Sequence, residues 1–357
     1  MMDWANAIDD IIVFTVFLCS SIFINYTVLK LFGQKQLKKK ETGNIRWDKV
    51  TKPFLGGVSF FLVFIVATLV YYLFLKSHPA FTLQVSGILI ASGIGFFSGL
   101  SDDLYHSSPY SKIAFQILAS IALIVTGTYI SIFPWLWFNY FFTALWVVGL
   151  MNSINMFDNM DAIASIVTVF AIIAMLITIA ASGSVSEVHF FLLLAVFSSI
   201  IGFLFFNWHP SKMYMGDNGS QFLGAIMAAF SIIFLWNFKV SAEGSVSIRI
   251  LLPLLAFLPS ICDTIVVSIN RISRGKSPFV GGKDHTSHYL SYLGLSDRQV
   301  ALTFAGISFL CMCGVYLCAT IQIWTATMSI ALFAFAITVL VVLFLLTKRK
   351  TSTIFTN

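Results

Sequence analysis

Only 10% of the 357 residues are charged, with 15 Asp and Glu in all, while 58% are hydrophobic. A soluble fold of this length has too little interior to hide so much apolar surface, so a globular domain is excluded. Cysteine is also sparse. Cys19, Cys262, Cys311, Cys313 and Cys318 all lie inside apolar stretches. With no CxxC and no His pairing at metal spacing, they exclude a disulfide framework and read as small buried hydrophobes. Alternation of apolar and polar residues is missing, which excludes a transmembrane β-barrel. Internal repeats, low-complexity linkers and soluble segments are missing too, so residues 1–357 read as a single membrane domain.

What remains is long apolar runs. At roughly 20 residues per helical span, they predict an all-α polytopic membrane protein of about eleven spans, near 9–32, 54–75, 84–100, 113–132, 137–154, 162–182, 188–206, 221–238, 247–270, 299–320 and 323–346. Basic residues favour the cytoplasmic side. An outside N-terminus and a cytoplasmic C-terminus put 18 of the 21 Lys and Arg inside, mostly in two loops near 33–53 and 271–298, and leave Lys76, Lys239 and Arg249 outside. The first run follows Asp3, Asp9 and Asp10 and has no basic leader, so it reads as a retained span. The net charge of +6 is a topology signal with affinity for anionic lipid, and nothing points to nucleic acid.

In that topology the carboxylates are one-sided. Asp102, Asp103, Asp158, Asp161, Asp217, Asp284 and Asp297 fall on the cytoplasmic face, with Asp263 about two turns inside a span. A transporter would be expected to place its ionisable groups near the midplane, often within internal repeats. Polar groups at one interface suit a reaction between a water-soluble and a lipid-soluble partner instead. Asp263 is the residue that favours a transporter, and a non-catalytic scaffold would have no use for polar groups that are costly near lipid.

Four clusters carry that face. Asp102 and Asp103 stand together where an apolar run ends, with Lys112 opening the next helix. Adjacent carboxylates can hold Mg²⁺, or one can act as a base beside its neighbour's charge. In NSINMFDNMDA, Asn152, Asn155, Asp158 and Asp161 recur every third residue, more polar groups than a helix cap requires. In FNWHPSKMYMGDNGS, Asn207 closes a span and Asp217 opens the next at a helix N-terminus, where backbone N–H groups favour anions. In RISRGKSPFVGGKDHTSHYL, Arg274, Lys276 and Lys283 supply positive charge for a diphosphate, and His285 and His288 supply hydrogen-bond donors. HxxH without HExxH or a nearby cysteine is a poor zinc signal. Asp297, beyond this loop, is expected to lie apart from the chemistry.

These segments, together with TKPFLGG in the first inner loop, resemble the polyprenyl-phosphate N-acetylhexosamine-1-phosphate transferase family in order along most of the chain. The resemblance implies nucleotide and Mg²⁺ chemistry, with Mn²⁺ as a substitute, for Asp102, Asp103 and Asp217, the latter two as metal ligands. It gives catalytic roles to Asp158 and Lys112, and substrate binding to Asn152, Asn155, Asp161, Asn207, Lys276, Lys283, His285 and His288. The partners implied are a UDP-N-acetylhexosamine, undecaprenyl phosphate and membrane lipid, with a homodimer as an open option and the bacterial inner membrane as location. Two departures bear on it. Where the family has DGxDG this chain has Asp158-Asn159-Met160-Asp161-Ala162, so the backbone there is expected to avoid positive φ. The last loop lacks the three-histidine run of the muramoyl-pentapeptide transferases. That points to the GlcNAc-1-phosphate branch, which initiates O-antigen, common antigen or teichoic acid. The implied reaction is attack by the lipid phosphate on the β-phosphorus of the UDP-sugar with release of UMP, Asp102 remaining open as either a metal ligand or a proton acceptor.

Overall fold

A computed structural model describes residues 4–36, 52–75, 82–183, 186–239, 245–279, 281–321 and 323–349. All the regular structure in these residues is helical. Lys38, Lys39, Lys40, Glu41, Arg46, Asp48 and Lys49 of the first basic loop lie outside the described residues, as do Lys76 and Lys350. The helices are α1 (Trp4–Gln36), α2 (Gly56–Val70), α3 (Leu83–Tyr105), α4 (Pro109–Val125), α5 (Leu136–Phe157), α6 (Ile163–Ser182), α7 (Glu187–Asn207), α8 (Gly216–Ser231), α9 (Ser245–Ala256), α10 (Leu258–Ile272), α11 (Thr286–Tyr292), α12 (Asp297–Thr320) and α13 (Ala326–Arg349). Both α2 and α8 run on through one π-helical turn, Tyr71–Leu75 and Ile232–Trp236.

Among the described residues nine helices are long and apolar enough to cross a membrane, ten if α9 and α10 count as one span. Each of the eleven expected stretches is helical, and the difference lies in two of them. The fourth helix stops at Val125 and is only 17 residues long. The chain then turns at Gly127 (φ +89), and Asn139 and Thr143 take up the backbone N–H groups of Phe133 and Ile130. The ninth stretch breaks at Phe257 with a bend of 77°. Pro253 and Pro259 flank that break, and each lacks the N–H that an unbroken helix needs.

The centre of the bundle is α8, packed on α2, α3 and α5. Its 18-residue apolar window is 94% buried, against 22% for the first helix and 17% for the last. Small residues permit this packing. A Cβ on Gly57 would strike the backbone of Gly219, and one on Gly99 would strike the carbonyl of Asp217, so the glycines of TKPFLGG and GLSDD let two helices reach the start of α8. The approach is locked by backbone hydrogen bonds from Gly56 to Tyr214, from Gly57 to Met215 and from Tyr214 to Pro53.

Candidate active site

The C-terminal ends of α3, α5 and α10 and the N-terminal ends of α4, α8 and α12 meet around one cavity of about 640 Å³. The four sequence clusters, spread over nearly 200 residues of chain, are thereby brought together. Asp102, Asp103, Lys112, Asn152, Asn155, Asp158, Asp161, Asp217, His285 and His288 all line it.

The acidic pair does not sit in a turn, because α3 continues through both aspartates to Tyr105 and is capped by His106 at φ +54, whose N–H reaches the Asp102 carbonyl. Being neighbours on a helix, the two side chains point to different places and do different work. Asp102 Oδ2 lies 2.5 Å from Lys112 Nζ, which is also 3.0 Å from Asp217 Oδ2. Asp103 instead closes the N-terminus of α8. Its Oδ1 accepts from the Asp217 N–H at 3.2 Å, and its Oδ2 accepts from the Asn218 N–H at 2.9 Å and from Asn218 Nδ2 at 2.6 Å. A carboxylate at this position meets the unpaired N–H groups and the positive end of the helix dipole. The sequence reading gave Asp103 to the metal; in the fold its oxygens are engaged by the helix that carries Asp217.

Asp217 is oriented from its other side by Asn155, whose Nδ2 donates to Oδ1 at 3.0 Å and to Ser220 Oγ at 2.8 Å. One turn earlier, Asn152 exchanges two hydrogen bonds with Gln116, which also donates to Gln221. Asn152 thus belongs to an amide network with Gln116 and Gln221, while Asn155 acts on Asp217 and Ser220 directly. Asp158 caps α5 and opens onto the cavity.

Other expected site residues hold the walls. Asn207 is 2% exposed and absent from the lining: its Oδ1 accepts from the Ala162 N–H and from Ser165, and its Nδ2 donates to the Met213 carbonyl. Ala162 adopts φ +66, so the expectation that replacing glycine would abolish positive φ is corrected. The left-handed turn is kept and Asn207 clamps it. An L-residue in that region costs roughly 1–2 kcal/mol, so Ala162→Gly is expected to stabilise the fold by about 0.5–1 kcal/mol once glycine's greater unfolded freedom is subtracted. A detergent-solubilised melt should show the rise; a fall in midpoint would mean the turn is not strained. Asp161 binds the loop after α7, accepting from the Ser211 N–H at 2.9 Å and hydroxyl at 2.6 Å, with His209 Nδ1 at 3.1 Å. Lys276 and Lys283 are exposed and outside the lining.

Four residues passed over by the sequence reading belong to the cavity. Arg271 forms a bidentate pair with Asp284 at 2.9 and 2.6 Å and donates to the Pro278 carbonyl, folding the last loop back on α10. Burial pushes the Asp284 carboxyl up, but the hydrogen bonds and charge of Arg271 outweigh this and leave it below the usual carboxylate range. In the sequence Arg271 reads only as a topology signal. Asn159 accepts from Ser287 at 2.5 Å and joins the end of α5 to the histidine segment. His106 lines the wall, and Asp297, expected to lie apart, sits on the cavity 3.6 Å from His209. His288 is neutral at physiological pH, because burial and the nearby His285 push its imidazole down to about 3.

Fold and cavity define a polytopic helical membrane protein with a pocket of carboxylates, amides, a lysine and imidazoles where its spans end. Residues 85–235 match the family described as Glycosyl transferase family 4. Over 287 residues, 78% of this chain and 76% of the relative, the chain is 29% identical to a probable undecaprenyl-phosphate N-acetylglucosaminyl 1-phosphate transferase of Bacillus subtilis. It is 30% identical over 235 residues, 59% of this chain and 67% of the relative, to the phospho-N-acetylmuramoyl-pentapeptide-transferase of Streptococcus agalactiae serotype Ia, and 30% identical over 233 residues, 59% and 66%, to that of Streptococcus thermophilus. The chain belongs to glycosyl transferase family 4.

Proposed function

We propose that the protein transfers an N-acetylhexosamine-1-phosphate, GlcNAc-1-phosphate in the first instance, from its UDP derivative to undecaprenyl phosphate at the cytoplasmic face of a bacterial membrane, releasing UMP. The observation that carries this reading is the convergence of Asp102, Lys112 and Asp217 in a cavity at the membrane-boundary end of the spans. It is supported by the names of the relatives reported above, an N-acetylglucosaminyl 1-phosphate transferase and phospho-N-acetylmuramoyl-pentapeptide-transferases.

Phosphoryl transfer depends chiefly on positioning and charge. In this reading a lipid phosphate oxygen attacks the β-phosphorus of the UDP-sugar, the bond from that phosphorus to the bridging oxygen breaks, and UMP leaves. The attacking phosphate is already ionised, so its arrival requires no general base. Lys112 offers a positive charge next to the diphosphate, and Asn155 holds Asp217 in place. Among the described residues no group of three or more His, Cys, Asp or Glu converges to hold a metal. Mg²⁺ does not require one, because it commonly takes one or two carboxylates and fills its shell with substrate phosphates and water. Asp102 Oδ2 and Asp217 Oδ2, which already share one cation, are the hard oxygen donors that fit it. When bound, Mg²⁺ would screen the diphosphate charge.

The test is UMP release by purified protein given undecaprenyl phosphate, Mg²⁺ and a panel of UDP-sugars. UDP-GlcNAc or a related small N-acetylhexosamine is expected to turn over, and UDP-MurNAc-pentapeptide to be refused. The second reading, pentapeptide transfer, is favoured by the 30% identity to the streptococcal enzymes; comparable turnover of the pentapeptide donor would establish it in place of the first.

A further inference from the structure

Asp263 lies in the first half of α10, and its side chain is fully buried. A carboxylate inside an apolar bundle survives only where hydrogen bonds meet its charge. Both oxygens are so met, and every partner comes from the start of α11. Oδ1 accepts from the Thr286 N–H at 2.7 Å and the Thr286 hydroxyl at 2.6 Å, while Oδ2 lies 2.8 Å from His285 Nδ1. The carboxylate is an acceptor in each contact, so the hydrogen shared with His285 belongs to the ring. An imidazole whose Nδ1–H is committed in this way has Nε2 left for other work. The His285 residue lines the cavity.

The surrounding segment is fastened without this bond. Arg271 holds Asp284 and Pro278 on one side, and Asn159 holds Ser287 on the other. Breaking the contact between Asp263 and His285 therefore leaves the loop latched and frees the imidazole in particular.

We infer that Asp263 is a positioning residue for His285: it fixes the ring with the proton on Nδ1 and holds Nε2 toward the diphosphate of the nucleotide sugar. The inference rests on the transfer proposed above. When Nε2 is protonated as well, the imidazolium is balanced by the buried carboxylate behind it and donates to a phosphate oxygen as a charge-assisted hydrogen bond. The residue that argued for a transporter is then part of the transferase, and its burial serves to keep the pair dry.

The experiment compares wild type with Asp263→Asn, His285→Gln and the double variant. In Asp263→Asn the amide oxygen can still serve Thr286, but its Nδ2–H confronts Nδ1 and forces the ring proton to Nε2. We expect kcat to fall roughly 10–100-fold, the usual effect of losing a carboxylate behind a working histidine, with a smaller change in KM for the UDP-sugar. The double variant should be no slower than His285→Gln, because the two residues act as one unit. Losses that multiply in the double variant, or a near-normal Asp263→Asn, would overturn the inference. A second measurement covers the case in which Asp263→Asn does not fold: nitrogen NMR of ¹⁵N-histidine-labelled protein, with His285 assigned by its loss in His285→Gln. A protonated Nδ1 is expected, and a bare one refutes the dyad. Absence of UMP release by wild type from every donor would instead defeat the transfer reading, and the NMR result would still report on the pair.

Discussion

Asp217→Asn is expected to insert and fold normally and to lose UMP release by roughly a thousandfold or more, equivalent to several kcal/mol of transition-state stabilisation. The substitution keeps the shape. An amide oxygen can still accept from Asn155 Nδ2, now 3.0 Å from Oδ1, but the amide nitrogen then faces Lys112 Nζ, now 3.0 Å from Oδ2, donor against donor. The charge shared with Lys112 and the hard oxygen suited to Mg²⁺ disappear together. Rates across Mg²⁺ concentration at matched expression are the measurement, with Glu187→Gln, at the opposite end of α7 from Asn207, as the reference. A near-normal rate for Asp217→Asn would remove the role assigned to it. Asp297, which the sequence alone offered as the remote reference, is unsuitable because it lines the cavity.

Lys112→Met is expected to lower kcat/KM about a hundredfold, since it withdraws a fixed positive charge from the place where negative charge gathers and removes the ammonium that Asp102 and Asp217 share. Lys112→Arg should recover little of the loss. A compact ammonium fits between the two oxygens at 2.5 and 3.0 Å, whereas a planar guanidinium is larger and presents its donors as a fork. Steady-state kinetics of the two variants decides the point: an arginine variant close to wild type would mean that charge alone matters there and the geometry does not.

The membrane class and the identity of the polar clusters were legible because carboxylates and amides stand out against apolar runs. Their division of labour was not. Asp102 and Asp103 are equivalent as letters, and what separates them is the helical angle between neighbours together with an α8 terminus lying 114 residues further on. Asn207 has the composition of a ligand residue and spends all its hydrogen bonds on backbone and a serine. Arg271 was hidden among the other loop cations, since only the folded loop shows that it closes on Asp284. The break at Phe257 was signalled by Pro253 and Pro259, but a continuous apolar run outweighed them, because hydropathy records composition and carries no direction. Ala162 shows the opposite failure: a rule about glycine was applied locally, while clamping from α7 decides the backbone.

The burial of α8 has a consequence for how the protein meets its lipid. A bilayer thicker or thinner than the spans is accommodated by tilting and by local adjustment of the lipid-facing helices. Those are the first and last helices, whose apolar windows are only 22% and 17% buried, whereas that of α8 is 94% buried. Asp217 is the second residue of α8, and the close approach of Gly57 and Gly99 together with the carboxylate of Asp103 pins that end. Elastic deformation of the membrane is thus taken up at the rim of the bundle, and the reacting groups keep their spacing as the surrounding lipid composition changes.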